Sequence, residues 1–254
     1  MRETAIFFKK EVLESWRTKR FLILGVVFLI FAIMSPLFAK LTPEIMKAAL
    51  GQTMADQIPT PTSLDSWTQY YKNISQLGIF VIVIMFSGSL SGEVAKGTLV
   101  NLVTKGLPRY AVILGKFLNQ FLEWTILLGA SFLITWGYTA YYFPDHASPH
   151  IFLGFVPLFV FGFFLLSVIL FGSAIARNNY TGLLLAVFVY AGLNVVNLFK
   201  KAVDYNPITL INKNVAIIQS KSVFGQIGPA LWISLAAGVC LIFLAIRIFD
   251  KKKL

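Results

Sequence analysis

Charge is what this sequence has least of. Only 13% of its 254 residues are Asp, Glu, Lys or Arg, against about a quarter in a soluble domain. With 57% hydrophobic residues, the shortage excludes a solvated surface over most of the chain and points to an integral membrane protein. Cysteine is nearly absent. The single Cys240 lies in an apolar run, so no intrachain disulfide can form. Histidine is scarce too: His146 and His150 stand with Asp145 in PDHASPH. These are metal-binding residue types, but Pro144 and Pro149 deny them a regular helix and no HExxH pattern occurs. No metal site is expected, and the role assigned to the stretch is a solvated turn. Nucleophile elbows and paired catalytic carboxylates are missing as well, so no catalytic residue is expected. A cleavable signal peptide is not expected either, because about twenty mixed polar residues precede the first apolar run.

What is present is a series of long apolar runs. Six are long enough to cross a hydrocarbon core as helices, near 21–39, 74–91, 117–143, 151–176, 181–199 and 228–249. None shows the ten-residue alternation of a membrane barrel. The fold class expected is all-α, a single membrane domain over 1–254. The net charge of +11 fits basic loops facing anionic headgroups, and no nucleic acid partner is expected. Lys and Arg number six in 1–20, four in 92–116, one at Arg177 and four near the C-terminus. The alternating connections contribute three in 40–73, none in 144–150 and four in 200–227. The richer side is cytoplasmic by the positive-inside rule, which puts both termini inside.

Residues 2–20 read as an amphipathic helix before the first span. Phe8, Val12 and Trp16, extended by Leu13 and Ile6, share one side, and Lys10, Glu11, Glu14 and Arg17 the other. The next inner connection, GEVAKGT at 92–98, nearly spells a phosphate-binding loop. Lys96 precedes Gly97 instead of following it, and an apolar span stands where a strand is required. The stretch reads instead as a short amphipathic helix. Ala95, Leu99, Leu102 and Val103 make the apolar stripe, and Glu93, Gly97, Asn101 and Thr104 face the cytoplasm. Residues 40–73, with Pro43, Pro59 and Pro61, are too polar to enter the membrane and read as short helices and turns on the outer surface. Residues 206–226 read as a re-entrant or interfacial element, with an ordinary loop as the alternative.

Glu123 is the sole acid inside a span. It joins Asn119 and Gln120 in a polar patch at the inner end of the third span, where pairing with a basic residue or a neighbouring helix is expected. Tyr190, Asn194 and Asn197 share one side of the fifth span. They either line a path or hold helices together.

Taken together, KKEVLESWRTKRFLIL (Lys9–Leu24), SPL (Ser35–Leu37) and GEVAKGTLVNLVTKGLPRYAVILGK (Gly92–Lys116) resemble the permease subunits of bacterial ABC-2 type transporters, also called type V exporters. The last stretch is similar to that family's E…GT…L…R…GK segment, and the layout covers essentially the whole chain. The resemblance implies a coupling helix that docks on a separate ATP-binding subunit, using Glu93, Lys96, Gly97, Thr98, Asn101, Thr104, Lys105 and Arg109. It implies a connecting helix at 2–20 and a secondary contact around Arg177–Tyr180. It further implies two permeases, as identical copies or paralogues, with two ATPases that bind ATP and Mg. The path would lie at the permease dimer axis, lined by Phe80, Ile84 and Ser87 of the second span and Tyr190, Asn194 and Asn197 of the fifth. This chain would carry no cofactor of its own. The expected function is ATP-driven export of an amphiphile, such as a peptide, an antimicrobial or a lipid-like molecule, from a bacterial cytoplasm across the inner membrane. The alternatives are a stand-alone secondary transporter or channel, which would show inverted repeats or deep ionisable residues, and a membrane-embedded enzyme.

Overall fold

A computed structural model describes residues 2–50, 60–176 and 179–252. Helices make up the regular structure, and among the described residues there is no strand. In chain order they are α1 (Arg2–Arg17), α2 (Arg20–Leu50), α3 (Ser63–Asn73), a π-helical turn (Ile74–Gly78), α4 (Ile79–Ser87), α5 (Ser91–Ala95) and α6 (Thr98–Thr104). There follow α7 (Arg109–Tyr142), α8 (Ile151–Ile175), α9 (Asn179–Val196), a 3-10 turn (Val203–Tyr205), α10 (Thr209–Asn212), α11 (Asn214–Gln219), α12 (Lys221–Gln226) and α13 (Gly228–Lys251).

Among the described residues, five helical stretches are long and apolar enough to cross a membrane: Arg20–Ala48, Ser63–Ala95, Arg109–Tyr142, Ile151–Ile175 and Gly228–Lys251. The run at 181–199 gives a shorter apolar helix, Thr181–Val196. At 1.5 Å per residue the 18 residues of α9 reach about 27 Å, a little less than the hydrocarbon thickness.

Helix α8 is the axis of the bundle, packed by α13, α9, α7, α4 and α11. Its sequence is apolar on every side because nearly every side meets another helix. Where α7 crosses it, the Trp124 indole lies against the backbone of Gly162, and a Cβ there would sit 2.1 Å from the ring. No larger residue fits that crossing.

The outer connections differ from expectation. Residues 40–50 and 63–73 continue the spans as helix instead of forming short helices and turns; 51–59 lie outside the described residues. Their polarity is used between helices. In α3 the Ser66 and Thr139 hydroxyls are 2.6 Å apart, and Tyr70 and Ser131 2.9 Å. Pro36, inside α2, has no N–H to offer the carbonyl of Ala32. The hydroxyl of Thr135 on α7 donates to that carbonyl at 3.1 Å, so the proline leaves no orphan.

The bundle has two ends. One gathers the start of α1, the α5–α6 connection and the ends of α8 and α13. The other gathers the starts of α3 and α8 with α11. There Asp145 accepts from the backbone N–H of Ser63 at 2.8 Å, from its hydroxyl, and from the N–H of Ala147 at 3.0 Å. These bonds hold the Asp145 carboxyl below its ordinary range, outweighing the opposing effect of burial. Both its oxygens are thereby committed to a loop clasp.

Candidate functional site

The charged groups of the first end converge on one lysine. Lys116, about two turns into α7, is 1% exposed. Its ammonium donates to both carboxylate oxygens of Glu11 at 3.0 Å and to Glu93 Oε1 at 2.7 Å. Lys10 lies beside it and reaches Glu11 at 2.9 Å, Glu93 at 3.2 Å and also Glu14. The ring of Phe7 lies under both ammoniums, with centroid distances of 5.8 Å and 5.1 Å. Burial works against the Lys10 charge, but Glu14, Glu11 and Glu93 more than offset it and raise its pKa. The same Lys10 contact holds Glu14 below its ordinary value despite burial. Carboxylate oxygens of Glu11, Glu14 and Glu93 lie within 4.8 Å of one another. The cations that make this tolerable are the two lysines.

Local backbone explains how α1 reaches α7. At Gly115 a Cβ would stand 2.7 Å from the Phe7 ring and 3.3 Å from the Phe8 nitrogen, so glycine admits the crossing and Lys116 secures it. The face of α1 turned to the bundle is Phe7, Glu11 and Ser15. The wheel drawn from sequence put Glu11 on the solvated side and is corrected here: a buried lysine partner makes a buried glutamate affordable. The hydrophobic Ile6, Leu13 and Trp16 are exposed.

The 92–106 connection also departs from the expected single helix. It is two short helices broken at Lys96–Gly97, where Gly97 adopts φ +70°, a conformation that favours glycine. The break rotates the two halves relative to each other. Ala95 is exposed, Leu99 buried, and Leu102 and Val103 half-buried. Glu93, expected to face the cytoplasm, turns inward to Lys116. The Thr98 hydroxyl closes the break by donating to the Glu93 carbonyl at 3.1 Å. Lys96, Thr98, Asn101, Thr104 and Lys105 remain exposed. Between α1 and α6 runs a groove of about 390 Å³, lined by Ile6, Phe7, Leu102 and Leu107 with Glu3, Lys10 and Lys105 among its rim.

Arg109 points elsewhere. Its Nη1 donates to the carbonyls of Phe249 at 2.8 Å, Asp250 at 2.9 Å and Lys252 at 2.6 Å, capping the end of α13. Lys252 in turn donates to the Ala174 carbonyl at 2.8 Å and to that of Ala176, capping α8. Arg177 and Asn178 of the expected secondary contact lie outside the described residues.

Glu123 has the basic partner that its position required: Arg20 at 3.0 Å, with Asn119 donating at 2.7 Å. Gln120 of the same patch donates to the Ser89 hydroxyl at 2.8 Å. The six residues named for a path differ in exposure. Phe80 and Ile84 are exposed on α4, whereas Ser87 is buried with its hydroxyl on the Ile84 carbonyl. On α9, Tyr190 is half-buried near the Phe161 ring, the Asn194 amide donates to the Tyr190 carbonyl, and Asn197 accepts from Thr209. Sequence reasoning missed Lys116 and Lys252 as organising cations. The one available signal was the GK at 115–116.

The E…GT…L…R…GK spacing therefore has a structural content. Glu93 and Lys116 make the buried pair, Gly97 and Thr98 the break, Gly115 the crossing and Arg109 the cap. The profile described as ABC-2 family transporter protein matches residues 5–254. No curated protein matches the chain significantly.

Proposed function

Since the chain belongs to the ABC-2 family transporter proteins, whose membrane permease is non-catalytic and whose ATPase is a separate subunit, we propose that α1, α5 and α6 form its seat for that ATPase. The carrying observation is the buried Lys116, which ties the connecting helix and the coupling connection to α7 at one point. A push on the exposed Lys96, Asn101, Thr104 and Lys105 is then delivered to a 34-residue helix and not absorbed by a loose loop. The α1–α6 groove offers an apolar floor to an apolar element of the ATPase. Movement between two packed arrangements of the bundle would follow closure of the ATP-bound partner.

The topology we infer has six crossings, with α9 as the fifth span and both termini cytoplasmic. Supporting it, α9 starts beside Ser173 and Ser87 at the first end, and near its other end the Leu193 carbonyl accepts from Asn206. Residues 206–226, three short helices of which α10 and α11 pack on α8 and α11 also on α3, serve as the re-entrant element. The working unit is two permeases and two ATPases in a bacterial inner membrane, with α4 and α9 toward the partner permease and the path. The exported class is an amphiphile, since Phe80, Ile84, Leu184 and Phe188 give these neighbouring helices an exposed apolar side. A stand-alone ion-coupled carrier is disfavoured by Glu123, which is paired with Arg20 and lies toward one end.

The test is co-purification of the ATP-binding subunit with wild-type chain and with Lys96→Glu/Lys105→Glu. The double variant should insert normally but retain several-fold less ATPase and lose transport. Undiminished retention would overturn the seat.

A further inference from the structure

Beneath α1, on the side opposite the α6 groove, is a cavity of about 130 Å³ lined by Val12, Ser15, Trp16, Phe21, Asn119, Leu122, Glu123 and Ile126. Its walls are mostly apolar, yet it has a polar floor. Ser15 Oγ and Glu123 Oε2 are both buried and have no hydrogen-bond partner. Neither is expected of a finished interior, because an unpaired buried polar atom costs more than a hydrogen bond returns. Cavities of this size hold a small organic group.

Three features define the occupant. The cavity opens among Trp16, Leu122 and Ile126, all exposed on the outer side of the bundle, so it is reached from the acyl region of a bilayer. The Glu123 charge is already balanced by Arg20 at 3.0 Å, so a further cation would enter at a desolvation cost with little return. A neutral hydroxyl suits better: it donates to Glu123 Oε2 and exchanges a hydrogen bond with Ser15. Exposed Arg17 and Lys19 close α1 and its turn, one and three residues after Trp16, and bring positive charge to headgroup level.

We propose that this cavity binds an anionic phospholipid with a hydroxylated headgroup. A head hydroxyl occupies the polar floor, the phosphate lies toward the basic end of α1, and the acyl chains lie along Leu122 and Ile126. The lipid would fasten α1 to α7 on the side that the Lys116 cluster leaves open.

The experiment is native mass spectrometry of the full-length protein, comparing retention of phosphatidylglycerol and phosphatidylmethanol. These lipids have the same charge, and the second has no head hydroxyl. Phosphatidylglycerol should be retained about three- to tenfold better, the worth of one net hydrogen bond. Ser15→Ala, which removes an atom bonded to nothing in the protein, and Val12→Trp, which fills the space, should both abolish that preference. Arg17→Gln/Lys19→Gln should weaken both lipids alike. Equal retention of the two lipids by the wild type, or a preference that survives Ser15→Ala and Val12→Trp, overturns the site.

Discussion

Lys116 on α7 donates to Glu93 on α5 across 2.7 Å while also holding Glu11 of α1 at 3.0 Å. Three elements far apart in sequence thus share one ammonium at the end of the bundle. Under the proposed ATPase seat, the Glu93 carboxylate would join what a partner pushes to what must move.

Replacing Lys116 by Met should break that joint while keeping the bulk. Glu11 and Glu93 would be left with Lys10 alone, and loss of one partner from a buried ionic group costs about 3 to 5 kcal/mol. The thermal midpoint in detergent should fall, and ATP turnover should no longer track transport. Glu11→Gln/Lys116→Met removes one charge of each sign and should recover part of the midpoint but not the coupling. A double variant no more stable than Lys116→Met would refute the pairing.

The long spans were legible because uncharged runs near twenty residues have few structural alternatives. Where they end was not. Ser63, Ser66, Tyr70 and Tyr71 are polar enough to read as an outer loop, yet all four are buried in α3. A hydroxyl facing water and one facing another helix look the same in sequence. Glu93 was misplaced for a related reason: a helical wheel assumes an unbroken helix, and the αL turn at Gly97 cancels that assumption. Glu123 came out correctly because an acid at the edge of a span has few ways to exist without a cation.

The Asp145 clasp should respond to acid with a definite sign. Asp145 has its pKa lowered by Ser63 and Ala147, burial notwithstanding. A depressed carboxylate contributes stability that is present above its unfolded value, near 3.8, and is lost as pH falls through the lower folded one. Hydrogen exchange at the Ser63 amide should therefore show unchanged protection, after correction for intrinsic rate, from about pH 7 to about pH 5. Protection should fall only below the ordinary carboxylate range. Protection lost already near pH 6 would mean that another group carries the clasp.

Arg109→Met should loosen the C-terminus without disturbing the spans. Three carbonyls of the α13 terminus lose their cap, and Lys252 loses the anchor that positions it under α8. Exposed carbonyls can turn to water, so the cost is modest, about 1 kcal/mol. Faster amide exchange confined to 247–252 is the expected readout. Exchange spread over α7 would show that Arg109 orders the span instead of the tail.

The Thr135 hydroxyl and the Pro36 ring form a compensating pair around the Ala32 carbonyl. Thr135→Val keeps the shape and removes the donor, so the carbonyl is left unpaired in a fully buried helix contact. Interhelical bonds of this kind are worth about 0.6 kcal/mol on average and up to about 1.7, and the upper part of that range is expected because Ala32 and Thr135 are both fully buried. Pro36→Ala restores an N–H one turn away and should rescue the Thr135→Val midpoint. In the wild-type background the same change should do less, because Thr135 already satisfies the carbonyl. The four midpoints of this cycle give a coupling energy directly. A value near zero would mean that the hydroxyl does not replace the missing backbone bond.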